Sequence, residues 1–332
     1  MNGGLITGNS ANGYGGVYAH PGASFNRGGG TINGNATVYT AGYVYDGTNK
    51  PCYWLGTTRI DLPIIPGTNG YATGITVSGG TVYTAGYYID GGGNKPCYWV
   101  GTARIDLPII LGTNGYATGI TVSGGTVYTA GYYIDGGNTK PCYWVGTTRI
   151  DLPTDGRATG ITVSGGTVYT AGSYQDGGTS KPCYWVGTTR IDLPGTGGVT
   201  GITVSGGTVY TAGYVYDGDQ KPCYWVGTTR IDLPGTAGWT SGITVSGGTV
   251  YTAGEYADGG PITPCYWLGT TRIELPIIPG TNAHTTGITV SGGTVYTVGY
   301  YYGDDKACYW VGTTRIDLPE PGGIASGIFV TE

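Results

Sequence analysis

The chain has 332 residues, with 69 Gly and 31 Tyr against only 2 Phe and 1 Met, and a formal net charge of −5. That acidic balance argues against nucleic acid as a partner, because phosphates call for clustered cations, and no run of about 18 apolar residues offers a membrane span. The 39% hydrophobic content is enough to build a core, so the excess of Gly reads as turns in a β-rich fold.

Residues 1–30 stand apart from the rest. The opening Met1-Asn2-Gly3-Gly4-Leu5-Ile6-Thr7 has neither the charged region nor the apolar stretch of a secretory signal. Leu5, Ile6, Tyr14, Val17, Tyr18 and Phe25 are scattered among Gly, Asn and Ser. The plainer reading is a flexible leader. The sharper one is an arm that docks by strand addition on its own fold or on a neighbour's.

From residue 31 to 332 one pattern recurs every 40–45 residues. In the unit Thr73–Pro108, Gly74-Ile75-Thr76-Val77-Ser78 predicts a first strand and Gly79-Gly80 a tight turn. Thr81 to Tyr88 predicts a second strand, closed by the loop Asp90-Gly91-Gly92-Gly93-Asn94. Pro96-Cys97-Tyr98-Trp99-Val100 predicts a third, and Arg104-Ile105-Asp106-Leu107 a fourth after Gly101-Thr102. Val82, Thr84 and Gly86 fall on one face of the second strand, with Tyr83, Ala85 and Tyr87 on the other. Both faces are fillable, as a sheet held between two neighbours requires. In the fourth strand, Arg104 and Asp106 suggest a repeated ion pair guarding an outer edge.

Four short strands per unit and seven units predict an all-β, seven-bladed β-propeller. The motif Gly-Ile-Thr-Val-Ser begins at Gly74, Gly119, Gly160, Gly201, Gly242 and Gly287, and a degenerate copy containing Ile328, Phe329 and Val330 ends the chain. Thr37-Val38-Tyr39-Thr40-Ala41-Gly42 opens the first blade at its second strand, so the C-terminal strand is expected to pair there and lock the ring. Thr31-Ile32-Asn33 competes for the same slot.

The layout resembles kelch-type and WD-type propeller repeats over residues 37–331. Val82-Tyr83-Thr84-Ala85-Gly86 stands where a kelch repeat has its second strand, and Trp99 where a WD repeat has its tryptophan. The kelch double glycine and the WD histidine are missing, and the chain is also similar to highly repetitive bacterial propeller proteins. The resemblance implies an architecture and carries no activity with it.

Seven cysteines, Cys52, Cys97, Cys142, Cys183, Cys223, Cys265 and Cys308, each precede Tyr-Trp. An odd number at equivalent positions makes no pairwise disulfide framework, and no Cys-x-x-Cys pair suggests zinc, so they read as small buried residues. The Asp-Gly loops at Asp46, Asp90, Asp135, Asp176, Asp217 and Asp258 supply one carboxylate each. They read as turns and not as calcium loops, which need 6–8 converging oxygens. No metal and no cofactor is expected.

The turns joining first to second and third to fourth strands hardly vary. The loops between second and third strands, and those between blades, do vary, and they share one end of the ring. The residues Tyr71, Tyr116, Arg157, Trp239 and His284, read as belonging to interblade loops, are the candidate ligand face. An aromatic there could stack on a sugar ring, but the plainer reading is that these residues cap the blades. The paired tyrosines Tyr87-Tyr88 and Tyr132-Tyr133 read as packing. Two histidines, His20 and His284, and no catalytic motif point away from an enzyme. The function expected is that of a non-catalytic structural or interaction protein, with a self-assembling filament or surface subunit as its leading form. A multivalent glycan-binding propeller is the alternative, and a glycan-active enzyme the last. The expected partners are other copies of the chain, surface proteins or glycans. Low charge and the Thr, Tyr and Gly bulk lean toward an extracellular or cell-surface location.

Overall fold

The computed structural model describes residues 24–27, 30–33, 36–302 and 305–332. Seven four-stranded antiparallel sheets are arranged as blades. In the second blade the strands are Gly70–Ser78, Thr81–Asp90, Gly93–Val100 and Ala103–Asp106, from the axis outward. Blades 3 to 7 repeat this order, starting at Asn114, Gly156, Gly197, Trp239 and Ala283. The Ser-Gly-Gly turn takes positive φ at both Gly79 (56°) and Gly80 (77°), the type I′ geometry that follows the twist of a hairpin.

The first blade is closed by the tail. Gly323–Thr331 is its innermost strand and pairs antiparallel with Thr37–Tyr45, from Thr37↔Thr331 to Val44↔Gly323. The expected competitor is spent elsewhere: Gly30–Asn33 forms a hairpin with Ser24–Arg27. A four-residue strand cannot match the eight-pair ladder that the tail supplies.

Each blade buries its third strand against the blade before it. Trp99, Cys97, Ile75 and Val82 of blade 2 pack on Ala41 and Leu62 of blade 1, and on the partly buried Tyr39 and Tyr53. The opposite face of blade 2, with Ala85, Tyr98 and Leu107, meets Trp144, Cys142, Ile120 and Tyr133 of blade 3. All seven strand-three tryptophans are at most 1% exposed, so truncating one to Ala would cost about 3–5 kcal/mol. The Trp99 indole N–H also donates to the Pro63 carbonyl at 3.1 Å, where the chain leaves blade 1. The seven thiols are fully buried, and burial pushes each of them up.

A β-bulge in the inner strand was not anticipated. The register shifts between Ala72 and Gly74, leaving Thr73 unpaired in the ladder. Its hydroxyl donates to the Ala117 carbonyl of the next blade at 2.8 Å. Thr118, Thr159 and Thr286 make the same stitch to Ala158 (2.9 Å), Val199 (2.7 Å) and Ala325 (2.7 Å). The bulge also drives the Tyr71 carbonyl oxygen to 2.0 Å from where a Cβ on Gly86 would stand, so only glycine fits opposite it.

On the outer strand the Arg–Asp pairs form as expected: Arg59–Asp61 (2.6 Å), Arg104–Asp106 (3.0 Å) and Arg190–Asp192 (2.6 Å), among others. In blade 6 the acid is Glu274, and Arg272 turns instead to Asp258 at 3.1 Å. The arginines also lie over buried tyrosines, Arg104 at 4.0 Å from the Tyr88 ring centre. The neighbouring Asp106 and burial, the larger cause, push the Tyr88 phenol up to about 12.

Deleting residues 323–332 removes the innermost strand of blade 1 and bares the edge of Thr37–Tyr45. The expected outcome is a thermal midpoint at least about 10 °C lower, the cost of several buried contacts, together with rapid proteolysis within residues 37–61. An unchanged melting curve would show that the tail strand is dispensable.

Candidate functional site

The bulge determines what stands at the variable end of the ring. Beyond Thr73 the inner strand continues through Ala72 and Tyr71 to Gly70, so Tyr71 is a strand residue paired with Tyr87, and not a loop residue. The same correction applies to the other candidates. Tyr116 pairs with Tyr132, Arg157 with Ser173, Trp239 with Glu255 and His284 with Tyr300. The sequence pattern hides this, because a bulge breaks the alternation by which a strand is recognised. Blades 1 and 5 complete the circle with Ile324↔Tyr43 and Gly198↔Tyr214. One register position thus lays a collar of seven cross-strand pairs around one mouth.

Half of the collar is a ladder of tyrosines. Tyr71 stacks on Tyr87 with ring centres 4.8 Å apart and planes at 25°, and Tyr116 on Tyr132 at 4.8 Å and 27°. Edge-on contacts link these pairs across blades, Tyr43 to Tyr71 at 4.8 Å and Tyr87 to Tyr116 at 4.9 Å. Such pairs contribute about 0.5–1.5 kcal/mol each beyond the area they bury. All five rings are half-buried. Two hydroxyls are held in place: Asn49 Nδ2 donates to Tyr71 at 2.7 Å and Asn94 Nδ2 to Tyr116 at 2.6 Å. Burial, reinforced by neighbouring phenols, pushes Tyr87 well up, so it stays a neutral donor. Of the tyrosine pairs read as packing, Tyr88 and Tyr133 are buried in the core, while Tyr87 and Tyr132 are half-buried at the mouth.

The opposite arc is mixed. His284 stacks between Trp239 (6.1 Å) and Tyr300 (5.2 Å), with the exposed Tyr302 edge-on at 5.0 Å. His284 Nδ1 lies 2.5 Å from Oε1 of Glu255, whose Oε2 accepts the Thr285 N–H at 3.3 Å. Glu255 is 1% exposed, and burial raises its carboxyl above the ordinary range against the lowering effect of His284. Sequence reasoning passed over Glu255. The available signal was its departure from the repeat: Ala-Gly-Glu-Tyr stands where blade 2 has Ala-Gly-Tyr-Tyr.

Below the collar the bore narrows. Gly74 and Ile75 and their six equivalents, ending at Gly327 and Ile328, line an open axial cavity of about 190 Å³. A Cβ on Gly74 would lie 3.4 Å from the Gly119 Cα of the next blade, so neighbouring inner strands pack backbone against backbone here. Of the other sequence candidates, the Asp-Gly loops form turns in which Asp46, Asp176 and Asp217 pair with Lys50, Lys181 and Lys221. Among the described residues, no group of three or more His, Cys, Asp or Glu side chains is placed to hold a metal ion. No helix is long and apolar enough to cross a membrane. Leu5, Ile6, Tyr14, Val17 and Tyr18 of the expected arm lie outside the described residues, and Phe25 falls in the Ser24–Arg27 strand.

No protein-family model matches the chain, and no curated protein matches it. Solved structures do. The computationally designed protein Ika8 is 18% identical, covers 89% of this chain and 91% of its own, and has a TM-score of 0.49. A puromycin-hydrolysing peptidase of Mycobacterium tuberculosis is 12% identical over 86% of this chain and 53% of its own, with a TM-score of 0.54. A Trypanosoma rangeli sialidase in complex with sialic acid is 10% identical over 77% of this chain and 55% of its own, with a TM-score of 0.50. At these identities the likeness concerns the propeller fold alone.

The raised carboxyl of Glu255 has a signed consequence. Its folded form holds a proton at pH values where the unfolded carboxyl, near about 4.3, has lost it, so stability falls as pH rises through that interval. Glu255→Gln keeps the shape and removes the ionisation. The melting temperature of the wild type should decline relative to Glu255→Gln as the pH is raised from below the unfolded value through the raised one. Parallel curves would mean that the buried acid does not titrate in this range.

Proposed function

We propose that the protein is a non-catalytic interaction module that binds glycans at the aromatic collar. The single observation behind this reading is the tyrosine ladder of blades 1 to 3. Its ring faces, fixed by stacking and by asparagine donors, stand in one arc at the mouth. Sugars offer apolar C–H faces and many hydroxyls, and pre-ordered rings bearing phenols meet both demands at small entropic cost. Recurrence of the same group from blade to blade suits several weak contacts that reinforce one another. Bond-breaking asks instead for unlike groups converging on one point.

Self-assembly is a second reading, with an observation of its own. Leu111, at the tip of the linker after blade 2, is 97% exposed, and the equivalent linkers carry Pro66 and Pro279 there. The tail strand pairs inside its own ring and is not available to a neighbour.

The repeats provide conservative probes of the collar. Tyr132→Ser installs the residue that blade 4 carries at Ser173, and Trp239→Ala clears the other arc. Titration calorimetry with neutral oligosaccharides selected on a glycan array should give binding that each change weakens by about tenfold, the scale of an aromatic hot spot. Binding insensitive to both substitutions, or an array blank at high protein concentration, would remove the collar as the site. Sedimentation of the same samples decides the second reading: rings that stay single at every concentration count against assembly.

A further inference from the structure

The collar is not uniform, and its gap holds a cation without a counter-charge. At blades 4 and 5 the aromatic pairs give way to Arg157↔Ser173 and Gly198↔Tyr214. Serine and glycine stand where blades 2 and 3 carry tyrosines, and the Tyr214 ring lies over Gly198. A Cβ added at Gly198 would already touch the Tyr214 ring, at 3.5 Å. The exposed Arg157 side chain stands at this notch, with its guanidinium over the Tyr132 ring at 5.2 Å from the centroid. Its charge also reaches the Tyr214 phenol on the other side, lowering it against the larger effect of burial.

Among the described residues 36–302 and 305–332, every Arg and Lys but Lys95 and Arg157 has an ion-pair partner within 4.0 Å. The nearest acid in sequence, Asp155, is engaged by Lys140 at 2.5 Å. In a chain of net charge −5, an arginine kept free of carboxylates and braced on an aromatic face at the mouth is placed for an anion from outside.

We infer that the notch of Arg157, Tyr132, Ser173 and Tyr214 takes the anionic group of an acidic sugar, whose ring lies on the adjoining tyrosines. The guanidinium fork accepts a carboxylate or a sulfate through paired N–H donors, and the Ser173 hydroxyl and Tyr214 phenol are further donors within the notch. This rests on the collar being the glycan site, and adds the charge of its ligand.

The test compares tetragalacturonate, its fully methyl-esterified counterpart and a sulfated galactan tetrasaccharide, using wild type, Arg157→Gln and Arg157→Tyr. The last variant places at position 157 the residue that blades 2 and 3 carry in the same register, and circular dichroism melting of each variant checks that it folds. The inference expects at least one acidic probe to bind more tightly than the neutral ester. Either substitution should weaken that probe by roughly tenfold or more, the scale of a hydrogen bond to a charged group, and added salt should do the same. Binding of the ester should not weaken with Arg157→Gln, and Arg157→Tyr, which extends the aromatic arc, should leave it equal or tighter. Whether the uronate or the sulfate responds identifies the anion. Equal binding of acidic and neutral probes in all three proteins would overturn the inference and leave the collar as a glycan site. No binding by any acidic probe overturns it as well, and the collar substitutions above then decide the broader reading separately.

Discussion

Seven backbones meeting at the axis are the constraint on which the rest of the molecule depends. Around the waist each innermost strand offers a glycine to the next. A methyl there would come as near as 3.2 Å to the neighbouring Cα between Gly327 and Gly74, and 3.3 Å between Gly201 and Gly242. In an open stack such crowding could relax at a free edge. In a closed ring every displacement is passed to the next blade, so the intolerance is collective. Bare glycine at this position lets neighbouring sheets approach backbone to backbone, most tightly at Gly201, Gly242 and Gly327.

The two ends of the inner strand do different work, and the bulge separates them. On the inner side, Gly74-Ile75-Thr76-Val77 is nearly invariant from blade to blade because it faces like neighbours on both sides. Past the bulge the chain meets the mouth, where Tyr71, Arg157, Gly198, Trp239 and His284 occupy one register position without disturbing the core beneath. The stitch from the Thr73 hydroxyl to Ala117 lies at the boundary. Blade-to-blade cohesion is therefore secured before the variable residues begin, and they are free to differ.

Much of this was written in the repeat. The period, the strand order, the burial of the seven cysteines and the pairing of the tail with Thr37–Tyr45 follow from spacing and turn chemistry, which act locally. The bulge went unread although Gly74 inside the strand was a signal for it, because the same Ala-Thr-Gly also reads as the start of the strand. For that reason Tyr71 and its equivalents looked like loop residues. Glu255 escaped for another reason: a charged residue in an otherwise apolar strand reads as exposed until its partner, His284, 29 residues on, is brought beside it. The Arg157 notch needed the partners on both sides, since small residues such as Ser173 and Gly198 become informative only against the bulky ones they replace.

The seam in blade 1 also decides how the ring would respond to pulling. Thr37 and Thr331 sit opposite one another at the same end of an antiparallel ladder. Tension applied at these two points loads the terminal hydrogen bonds first and one at a time, as in a zipper, while the six continuous blades are spared. The molecule is thus mechanically soft at one chosen line and stiff everywhere else, despite a sequence that treats its blades almost alike.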